Sequence, residues 1–365
     1  MTPRRWIALE PYYGGSHRHL VDGLAERLAP EVDLEIWSLP PRKWKWRMRG
    51  GAVQLTRRWL AEEDRLADAA GIFTSSLLDA AALRGLLPPA ARTLPLVLYF
   101  HENQLDYPVR VADKRDYHYG WTNIQSALAA DRLLWNSAFN RDSFLRELGR
   151  FLRRMPDERP RGLAGAIRAK SEVLPVPFDA RGLETLAGRA PRSPSSPARL
   201  LWNHRWEHDK DPERFFQALF RLADEGLPFE VAVLGQSFER RPAIFERARE
   251  RLADRIVAWG YVEGTDAYAA ELARCDAAVS TARHEFQGLA VLEAAACGAV
   301  PLVPDDLAYR EIWPEELRYR RGRLRTALRD RIERVQEWRR YDPRPVARAF
   351  DWQALLPQWQ KIIRN

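Results

Sequence analysis

The segment AAVSTARHEFQGLAVLEAAACG, residues 277–298, carries the pattern from which the fold can be inferred. The short run Ala277–Ser280 predicts a buried strand, and after a polar loop an apolar stretch predicts a helix that ends near Gly298. A second apolar run, Val300–Val303, follows directly. Strand, helix and strand in this order predict two parallel strands that are joined by a crossover helix.

The same alternation extends through the whole chain. Short apolar runs predict strands, and longer helix-like stretches separate them. A first series of predicted strands comprises Trp6–Leu9, Leu34–Ser38, Gly71–Thr74, Leu96–Phe100, Arg132–Asn136 and Glu172–Pro175. A second series comprises Arg199–Asn203, Phe229–Leu234, Ile256–Gly260, Ala277–Ser280 and Val300–Val303. Two such series predict an α/β protein of two Rossmann-like domains, whose ligands gather at the carboxyl ends of the strands.

Proline-rich segments indicate the domain boundaries. Pro175-Val176-Pro177 ends the first series, and PRSPSSP at residues 191–197 suits neither helix nor strand. Apolar side chains at helical spacing near the end of the chain predict a terminal helix. We therefore predict an N-terminal domain of residues 1–178, a linker of residues 179–198, a C-terminal domain of residues 199–345, and a helix in residues 346–365 that crosses back to the N-terminal domain.

Composition narrows the class of protein. Of 365 residues, 46% are apolar, which suffices for two cores, and no run of about 18 uncharged apolar residues predicts a transmembrane helix. Cys275 and Cys297 are too few for a disulfide framework, and we expect buried thiols in a cytoplasmic protein. A net charge of +8 favours anionic partners such as phosphates, nucleic acid or lipid head groups without selecting among them.

Two glutamates flank the start of the helix predicted in residues 277–298. The backbone N–H groups of Gly288 and Leu289 would lie at the helix N-terminus, where they can bind a phosphate. Glu293 could then accept hydrogen bonds from a ribose diol, and Glu285 could bind the hydroxyls of a sugar. The alternative is an ordinary amphipathic helix with two solvated glutamates. Against it, Glu293 lies in an apolar stretch, which is unfavourable for an unused carboxylate.

A charged loop follows the first strand of the second series. Arg205 and Lys210 would lie at the carboxyl end of that strand, where two cations can neutralise a diphosphate leaving group as its charge grows. The alternative is a loop whose charges are simply solvated.

The same loop contains two patterns that also occur in metal sites. His204 and His208 match H-x-x-E-H, but that pattern needs a helix, and the helix is predicted to start only near Pro212. Asp209 and Asp211 form a D-x-D pattern with a lysine between the acids, which opposes cation binding. We expect no metal here, and we interpret Asp211 as the N-cap of the next helix.

Two loops of the first series are candidate binding loops. Gly14 and Gly15 follow the first strand and could let the backbone approach a ligand, although a plain tight turn would look the same. His17 is expected only to cap or decorate the next helix. A second loop, after Leu96–Phe100, is a dense polar group that is costly unless it binds something: His101, Glu102, Asn103 and Gln104. His101 could bind a substrate hydroxyl or carry a proton, with a structural histidine as the alternative.

Residues 42–49, RKWKWRMR, contain five cations, two tryptophans and no acid. Cations interleaved with aromatic rings suit RNA phosphates and stacked bases, and they also suit an anionic membrane surface. A solvated loop is the third interpretation. If the run binds RNA, its phosphate contacts would come from Lys43, Lys45, Arg47 and Arg49, while Asn103 and Gln104 could read a base.

These residues resemble a known family. Glu285 and Glu293 form the E-x7-E motif of glycosyltransferase family 4, whose members have the GT-B fold and transfer sugars with retention. Arg205 and Lys210 match the diphosphate-binding pair of that family, and Gly14-Gly15 matches its first glycine loop. The resemblance implies two domains facing across a cleft, with the acceptor bound by the N-terminal domain and a nucleotide sugar by the C-terminal domain.

A narrower resemblance rests on YYGGSH at residues 12–17, FHENQL at residues 100–105 and WNHRWEHDK at residues 202–210. These segments are similar to those of the tRNA-queuosine alpha-mannosyltransferases. The similarity implies a cytoplasmic enzyme that transfers mannose from GDP-mannose to queuosine at the anticodon wobble position of tRNA-Asp. It also implies no essential metal, no other cofactor and no stable membrane insertion. The expected catalytic residues are His101, Arg205, Lys210 and Glu285.

Two other functions stay open from the sequence alone. One is a glycosyltransferase at a membrane surface that acts on a lipid or polysaccharide. The other is an RNA-binding protein that keeps the fold without transferring sugar. The complete set of Arg205, Lys210, Glu285 and Glu293 argues against the second.

Overall fold

The computed structural model describes residues 3–107, 116–188, 197–237 and 242–364. The chain divides into two compact units. The first contains the residues up to Val176 together with those from Leu356 onward, and the second contains Pro177–Leu355. Each unit has a sheet of its own.

A six-stranded parallel sheet forms the centre of the first unit. Its strands are β1 (Arg4–Glu10), β2 (Val32–Ser38), β3 (Gly71–Ser75), β4 (Leu96–Phe100), β5 (Arg132–Trp135) and β6 (Ser171–Val173). They lie in the order β2-β1-β3-β4-β5-β6. The helices of this part of the chain are α1 (Gly15–Leu28), α2 (Trp44–Ala61), α3 (Ala80–Leu86), α4 (Pro89–Arg92), α5 (Tyr117–Ala129), α6 (Ala138–Arg153) and α7 (Leu163–Ala169). The strands read as continuous apolar runs because parallel sheets are covered on both faces.

The second unit is built on another six-stranded parallel sheet. Its strands are β7 (Ala198–Asn203), β8 (Phe229–Leu234), β9 (Ile256–Gly260), β10 (Ala277–Val279), β11 (Val300–Pro304) and β12 (Arg318–Tyr319). They lie in the order β12-β11-β10-β7-β8-β9. The helices are α8 (Ala180–Ala187), α9 (Pro212–Asp224), α10 (Ile244–Arg251), α11 (Thr265–Ala273), α12 (Leu289–Ala296), α13 (Tyr309–Ile312), α14 (Leu324–Glu333), α15 (Val335–Trp338), α16 (Arg344–Arg348) and α17 (Trp352–Arg364). The last of them, α17, begins in the second unit and continues into the first.

Stacked aromatic rings lie in both cores. In the first unit, Phe100 stacks on Trp135 with ring centroids 3.9 Å apart, and Phe144 packs against both. In the second unit, Trp206 stacks on Phe245 at 4.3 Å. Each such buried ring removes a large apolar area from water, which stabilises the unit.

The predicted α/β fold of two Rossmann-like domains is confirmed as two parallel sheets, and every predicted strand is present with ends that agree or shift by one or two residues. The sequence missed β12, which has only two residues and pairs with the end of β11. So short a strand has no apolar run of its own to reveal it.

The predicted linker, residues 179–198, is wrong in its first half. Helix α8 lies there, with Asp179 as its N-cap accepting a hydrogen bond from the Gly182 N–H, and Leu183 buried in a core. The prediction gave weight to the prolines and overlooked this capping residue. Most of the PRSPSSP stretch, residues 191–196, lies outside the described residues. The second unit also runs on to Leu355, beyond the predicted end at residue 345.

Candidate active site

The catalytic candidates of the second unit lie where its strand order reverses. From β7 the chain adds β8 and β9 on one side, and then returns to place β10 on the other side of β7. The loops after β7 and β10 therefore meet at one edge of the sheet. Arg205 and Lys210 lie in the first loop, and Glu285 and Gly288 in the second. In parallel α/β sheets, this switch point is where ligands bind.

Lys210 and Glu285 form an ion pair that joins the two loops. The Lys210 Nζ lies 3.1 Å from a carboxylate oxygen of Glu285 and donates to the His284 carbonyl at 3.1 Å. The two loops are also joined by the Thr281 hydroxyl, which donates to the Lys210 carbonyl at 2.7 Å. Sequence reasoning assigned these two residues separate tasks, on a phosphate and on a sugar, whereas the structure couples their charges.

The ion pair sets the protonation of its neighbours. Burial alone would raise the pKa of Glu285, but the charge and hydrogen bond of Lys210, together with the nearby His204 and His284, outweigh it and lower the pKa below its usual value. Burial lowers the pKa of His204, and the Lys210 charge lowers it further, to about 4. At neutral pH, Glu285 is therefore ionised and His204 is uncharged. A cation and an anion are thus held side by side at the end of the sheet.

Glu293 is the end of a short relay of hydrogen bonds. The Tyr268 hydroxyl donates to one oxygen of the Glu293 carboxylate at 2.6 Å, and the Asn203 amide donates to the Tyr268 hydroxyl at 2.6 Å. The other carboxylate oxygen has no partner within the described ranges. Burial raises the pKa of Glu293, and the bond from Tyr268 only partly opposes this. One oxygen is thus oriented by the protein while the other is available to a diol.

Sequence reasoning missed Tyr268 as part of this group. Tyr268 lies on α11, with no sequence motif around it, and it approaches Glu293 only because α11 and α12 pack together. Asn203 lies within the segment WNHRWEHDK, which did not single it out as a site residue. Its position as the last residue of β7 was the one sequence feature that could have indicated a place in the site, because ligands bind at strand ends.

Gly288 begins helix α12 in a conformation that other residues rarely adopt. Its φ is +81°, and a Cβ at this position would lie 2.8 Å from the Tyr309 ring. The N–H groups of Val291 and Leu292 bond to the Gly288 carbonyl, so the first amides of the helix, including that of Leu289, have no carbonyl within the helix to bind. These amides are suited to a phosphate, as the sequence predicts.

Arg205 is the most exposed member of the predicted catalytic set. Its side chain is 49% exposed and lies 3.3 Å from the Glu207 carboxylate. An exposed guanidinium can change its partner at little cost, because surface ion pairs contribute little to stability. The structure thus leaves the Arg205 guanidinium accessible to solvent at the end of β7.

The interpretation of Asp211 as a helix cap is wrong in its chemistry. Asp211 does precede α9, but its φ is +50° and its carboxylate makes no capping hydrogen bond. Both its oxygens instead accept from Arg283 at 3.0 Å, and Arg214 binds one of them at 3.1 Å. Two guanidinium groups compete with the helix amides for the carboxylate, and the stronger charge-assisted bonds prevail. Among the residues that the structure describes, no group of three potential ligands could hold a metal ion.

A second polar cluster occupies the switch point of the first unit, between β1 and β3. Glu10 ends β1, and one of its oxygens accepts from the Ser75 hydroxyl at 3.0 Å. His17, in the first turn of α1, lies 3.2 Å from Glu10 and 3.4 Å from Glu102. Its ring stacks on that of His101 with centroids 3.9 Å apart.

The expectation that His17 only caps or decorates its helix is wrong. Burial alone would lower the pKa of His17, but the charges of Glu10 and Glu102 outweigh it and raise the pKa to about 10. Burial lowers the pKa of His101 well below its usual value, and the charge of His17 lowers it further. His17 is therefore a buried cation and His101 is uncharged. Two carboxylates that folding brings to His17, Glu10 and Glu102, distinguish it from a decorative histidine.

His101 has unused hydrogen-bonding capacity. Both its ring nitrogens are buried, and neither has a hydrogen-bond partner among the described residues. One carboxylate oxygen of Glu10 and one of Glu102 are also buried without a hydrogen-bond partner among the described residues. Buried polar atoms without partners are rare in folded proteins and point to a ligand or water that completes them.

The glycine pair after β1 has two different roles. Gly15 starts α1 with a φ of +53°. Gly14 is extended, and a Cβ there would lie 2.6 Å from the Pro41 side chain. Close packing against Pro41 thus explains Gly14 without a ligand.

Asn103 does not read a base. It is fully buried, and its amide donates to the Asn140 side chain at 2.8 Å and to the Ser143 hydroxyl at 3.2 Å. Its oxygen accepts from the Asp106 N–H, so its amide group is bound to the protein at both ends. The polar side chain serves to attach this loop to α6. Gln104 is partly exposed beside it, and its backbone N–H is bonded to the Asn123 side chain.

The basic run of residues 42–49 is largely helical, because α2 begins at Trp44. Arg47 is buried and donates to the Pro40 carbonyl at 3.1 Å, so its predicted contact with phosphate is wrong. Exposed cations remain at Lys43, Lys45 and Arg49, and Trp46 beside them is 56% exposed. The periodicity of the helix turns Arg47 inward and leaves Lys45 and Arg49 on the surface.

Comparisons with known proteins fit this architecture. Residues 5–178 match the family model described as tRNA-queuosine alpha-mannosyltransferase N-terminal, and residues 198–326 match glycosyl transferases group 1. The chain is 40% identical over 318 residues to the tRNA-queuosine alpha-mannosyltransferase of Drosophila melanogaster, covering 86% of this chain and 82% of the relative. A GDP-mannose-dependent alpha-(1-6)-phosphatidylinositol dimannoside mannosyltransferase of Mycobacterium tuberculosis is 30% identical over 165 residues, 44% of this chain and 42% of its own.

Solved structures confirm the GT-B fold. Sucrose-phosphate synthase of Thermosynechococcus elongatus superposes with a TM-score of 0.71 at 16% identity, covering 99% of this chain and 98% of its own. HepE of Anabaena in complex with UDP superposes with a TM-score of 0.68 at 14% identity, covering 99% of both chains. No helix in the described ranges is long and apolar enough to span a membrane.

Proposed function

The chain belongs to the tRNA-queuosine alpha-mannosyltransferase family and is a glycosyltransferase, and from this we propose that it transfers mannose from GDP-mannose to queuosine at the anticodon wobble position of tRNA-Asp. The name of the mycobacterial relative supports GDP-mannose as donor. The names of the insect relative and of the N-terminal family model support queuosine in tRNA as acceptor.

One observation carries the proposal: the donor-type residues converge at the switch point of the second unit. Lys210 and Glu285 form an ion pair there, and Glu293 keeps one oxygen available. In the proposed complex, the amides at the start of α12 bind a phosphate, Glu293 binds the ribose diol and Glu285 binds mannose hydroxyls. Each contact uses a group whose ionisation or orientation the protein has already set.

The leaving group is the nucleoside diphosphate. As the bond between the anomeric carbon and the phosphate oxygen breaks, negative charge grows on GDP. Arg205 and Lys210 stabilise that charge. The acceptor hydroxyl oxygen bonds to the anomeric carbon on the face from which GDP departs and gives its proton to the departing phosphate oxygen, so the configuration is retained. Two cations and the helix amides suffice for this charge, so we expect no essential metal. Transfer should therefore persist in EDTA.

His101 is the proposed contact of the first unit with the reacting sugars. It is uncharged and both its nitrogens lack partners among the described residues, so it can donate to one hydroxyl and accept from another. Glu102 and Gln104 lie in the same loop and would bind the acceptor base. Lys43, Lys45 and Arg49 would bind RNA phosphates, with Trp46 available to stack on a base.

The test is a transfer reaction with defined substrates. The protein is incubated with GDP-mannose and queuosine-containing tRNA-Asp, and the nucleosides are analysed by mass spectrometry. We expect one added hexose on queuosine, and none on tRNA-Asp that lacks it. Hexose on a lipid or polysaccharide instead would favour the membrane-surface function. Binding of tRNA without hydrolysis or transfer of any nucleotide sugar would indicate an RNA-binding protein.

A further inference from the structure

The second unit carries a stretch of arginines that the basic run of the first unit does not explain. Between residues 318 and 331 one acid, Asp330, accompanies seven arginines: Arg318, Arg320, Arg321, Arg323, Arg325, Arg329 and Arg331. So dense a cluster of one sign is self-repelling unless it is neutralised by the protein or by an anionic partner.

Part of this charge has a structural use. Arg331 is buried and donates to the Pro301 carbonyl at 3.2 Å. Arg318 pairs with Asp305 at 2.9 Å, and Arg321 pairs with Asp306 at 3.1 Å. Contacts within the protein thus account for these three arginines without any ligand.

The remaining charge is exposed. Arg320 and Arg323 lie on the surface, and neither forms an ion pair within the described ranges. Arg325 is 51% exposed and shares Glu225 with Arg329. Arg221, on the neighbouring α9, is exposed and also has no ion-pair partner in the described parts of the chain. Exposed guanidinium groups on two adjacent helices form a surface for an anion.

These helices enclose a groove of about 460 Å³ between α9 and the start of α14. We call it the arginine groove. Its charged lining comprises Arg214, Arg221, Arg283, Arg321 and Arg325 against Asp211 and Glu213. Five cations against two anions leave the groove with a net charge of +3.

The mouth of the arginine groove is rigid and lies next to the donor residues. Asp211 holds Arg283 and Arg214 in place, and Arg214 donates to the Arg321 carbonyl at 2.9 Å. Asp211 follows Lys210 directly in the chain, and Arg283 precedes Glu285 by two residues. Fixed guanidinium groups lose little entropy when they bind, which favours them for recognising phosphate oxygens.

We propose that the arginine groove binds the phosphodiester backbone of the tRNA substrate. The proposal rests on the proposed function in one respect, that the acceptor is a tRNA. A nucleoside diphosphate would occupy two guanidinium groups, whereas the exposed arginines continue along α9 and α14 as a polyanion requires. The lining is charged rather than apolar, which suits RNA better than a membrane surface.

The test compares two triple variants of the full chain. In the groove variant, Arg221→Gln and Arg325→Gln remove two cations of the groove lining, and Arg323→Gln removes an exposed cation near it in the chain. Arg221 and Arg323 have no ion-pair partner in the described ranges, and Arg325 shares Glu225 with Arg329. In the control variant, Arg181→Gln, Arg249→Gln and Arg340→Gln remove three exposed cations of the same unit, one of them near a carboxylate. Both variants lose the same net charge, so a difference between them reports the location of the charge.

Affinity for tRNA-Asp is measured by fluorescence anisotropy between about 50 and about 200 mM salt. For the groove variant, we expect affinity to fall about tenfold or more at the low-salt end. The slope of log affinity against log salt should flatten by about one for each phosphate that is no longer neutralised. The control should bind as the parent does. In transfer assays, the groove variant should show a raised KM for tRNA with nearly unchanged kcat and unchanged GDP affinity.

Three results would overturn the proposal. The groove and control variants could bind tRNA equally well, or the groove variant could lose affinity for GDP instead of tRNA. In a parallel assay with phosphatidylserine vesicles, the groove variant could lose binding to the vesicles while keeping its affinity for tRNA. The proposed function is judged separately, by transfer of mannose in the parent. If the parent binds tRNA through the groove but transfers no mannose, the groove stands and the proposed function fails. If the parent transfers mannose and the groove variant binds tRNA normally, the proposed function stands and the role of the arginine groove is refuted.

Discussion

At the scale of single residues, the second unit holds two glutamates of the same motif in different states. Lys210 lowers the pKa of Glu285, whereas burial raises the pKa of Glu293. The largest part of the lowering comes from the Lys210 ammonium group, which lies 3.1 Å from Glu285, and the nearby His204 and His284 add to it. One carboxylate is thereby a fixed anion, and the other changes its charge more easily.

Arg205→Ala should lower the rate of mannose transfer on the order of 100-fold, because the leaving diphosphate is then stabilised by one cation fewer. The thermal unfolding temperature should stay unchanged, since the side chain is 49% exposed. Arg274→Ala is the matched control, because Arg274 is 47% exposed and also pairs with a glutamate. Equal activity of both variants would remove Arg205 from the mechanism.

Glu293→Gln should weaken GDP binding and abolish its dependence on pH. In the parent, affinity should fall as pH drops from about 7.5 to about 5, because a carboxyl whose pKa is raised takes up its proton within this range and loses its charged hydrogen bonds. Glu285 stays ionised there, since its pKa is lowered. Calorimetry at both pH values is the measurement. A parent whose affinity does not change, or a Gln variant that keeps the change, would refute the role of Glu293.

Asn103→Ala should destabilise the protein, and Gln104→Ala should not. Removing the Asn103 amide takes away the donor to the buried side-chain oxygen of Asn140, at a cost of about 1–3 kcal/mol in the free energy of unfolding. Gln104→Ala should instead lower transfer to tRNA. Urea denaturation and transfer assays separate the two. Loss of transfer with normal stability in Asn103→Ala would restore Asn103 as a base-reading residue.

At the scale of elements, α2 determines which cations of the basic run can reach a ligand. Because the helix begins at Trp44, Arg47 faces inward while Lys45 and Arg49 stay on the surface. The run is therefore neither a solvated loop nor a uniform patch. Its exposed face combines cations with Trp46, as a nucleic acid surface does.

A variant with Lys43→Gln, Lys45→Gln and Arg49→Gln should bind tRNA more weakly, with a salt slope reduced by about one for each phosphate contact. The control neutralises Arg146, Arg150 and Arg168, which are similarly exposed in the same unit. Anisotropy across a salt series is the measurement. Parent-like slopes in the α2 variant would mean that this helix does not contact RNA.

At the scale of the whole molecule, the end of the chain completes the core of its beginning. Helix α17 carries Trp359, which is fully buried against Phe73 and Tyr99 with ring centroids at 6.2 and 5.4 Å. The first unit therefore cannot form its full core until the second has been synthesised.

Trp359→Ala should lower the free energy of unfolding of the first unit by about 3–5 kcal/mol, because it leaves a cavity the size of an indole ring. Trp46→Ala, at a ring that is 56% exposed, should change it little. Circular dichroism during urea denaturation is the measurement. Similar midpoints for both variants would show that α17 contributes little to this core.

Local sequence patterns were enough to predict the two parallel sheets and the residue types of the site. Strands follow from apolar runs such as Phe229–Leu234, and loops at strand ends follow from chain order. The motif placed Glu285 and Glu293 on the same short segment, whatever the rest of the chain does. These features depend on neighbours in sequence, so the sequence suffices to predict them.

The charge and the partner of each side chain, in contrast, depend on how the chain folds. Lys210 meets Glu285 from 75 residues away, and His17 becomes a buried cation because Glu10 and, from 85 residues away, Glu102 are brought to its ring. Asn103 is likewise taken inward by partners on α6 that local patterns do not reveal. Burial and charge act through space, with strengths set by distance and solvent exclusion, and those quantities exist only once the chain has folded.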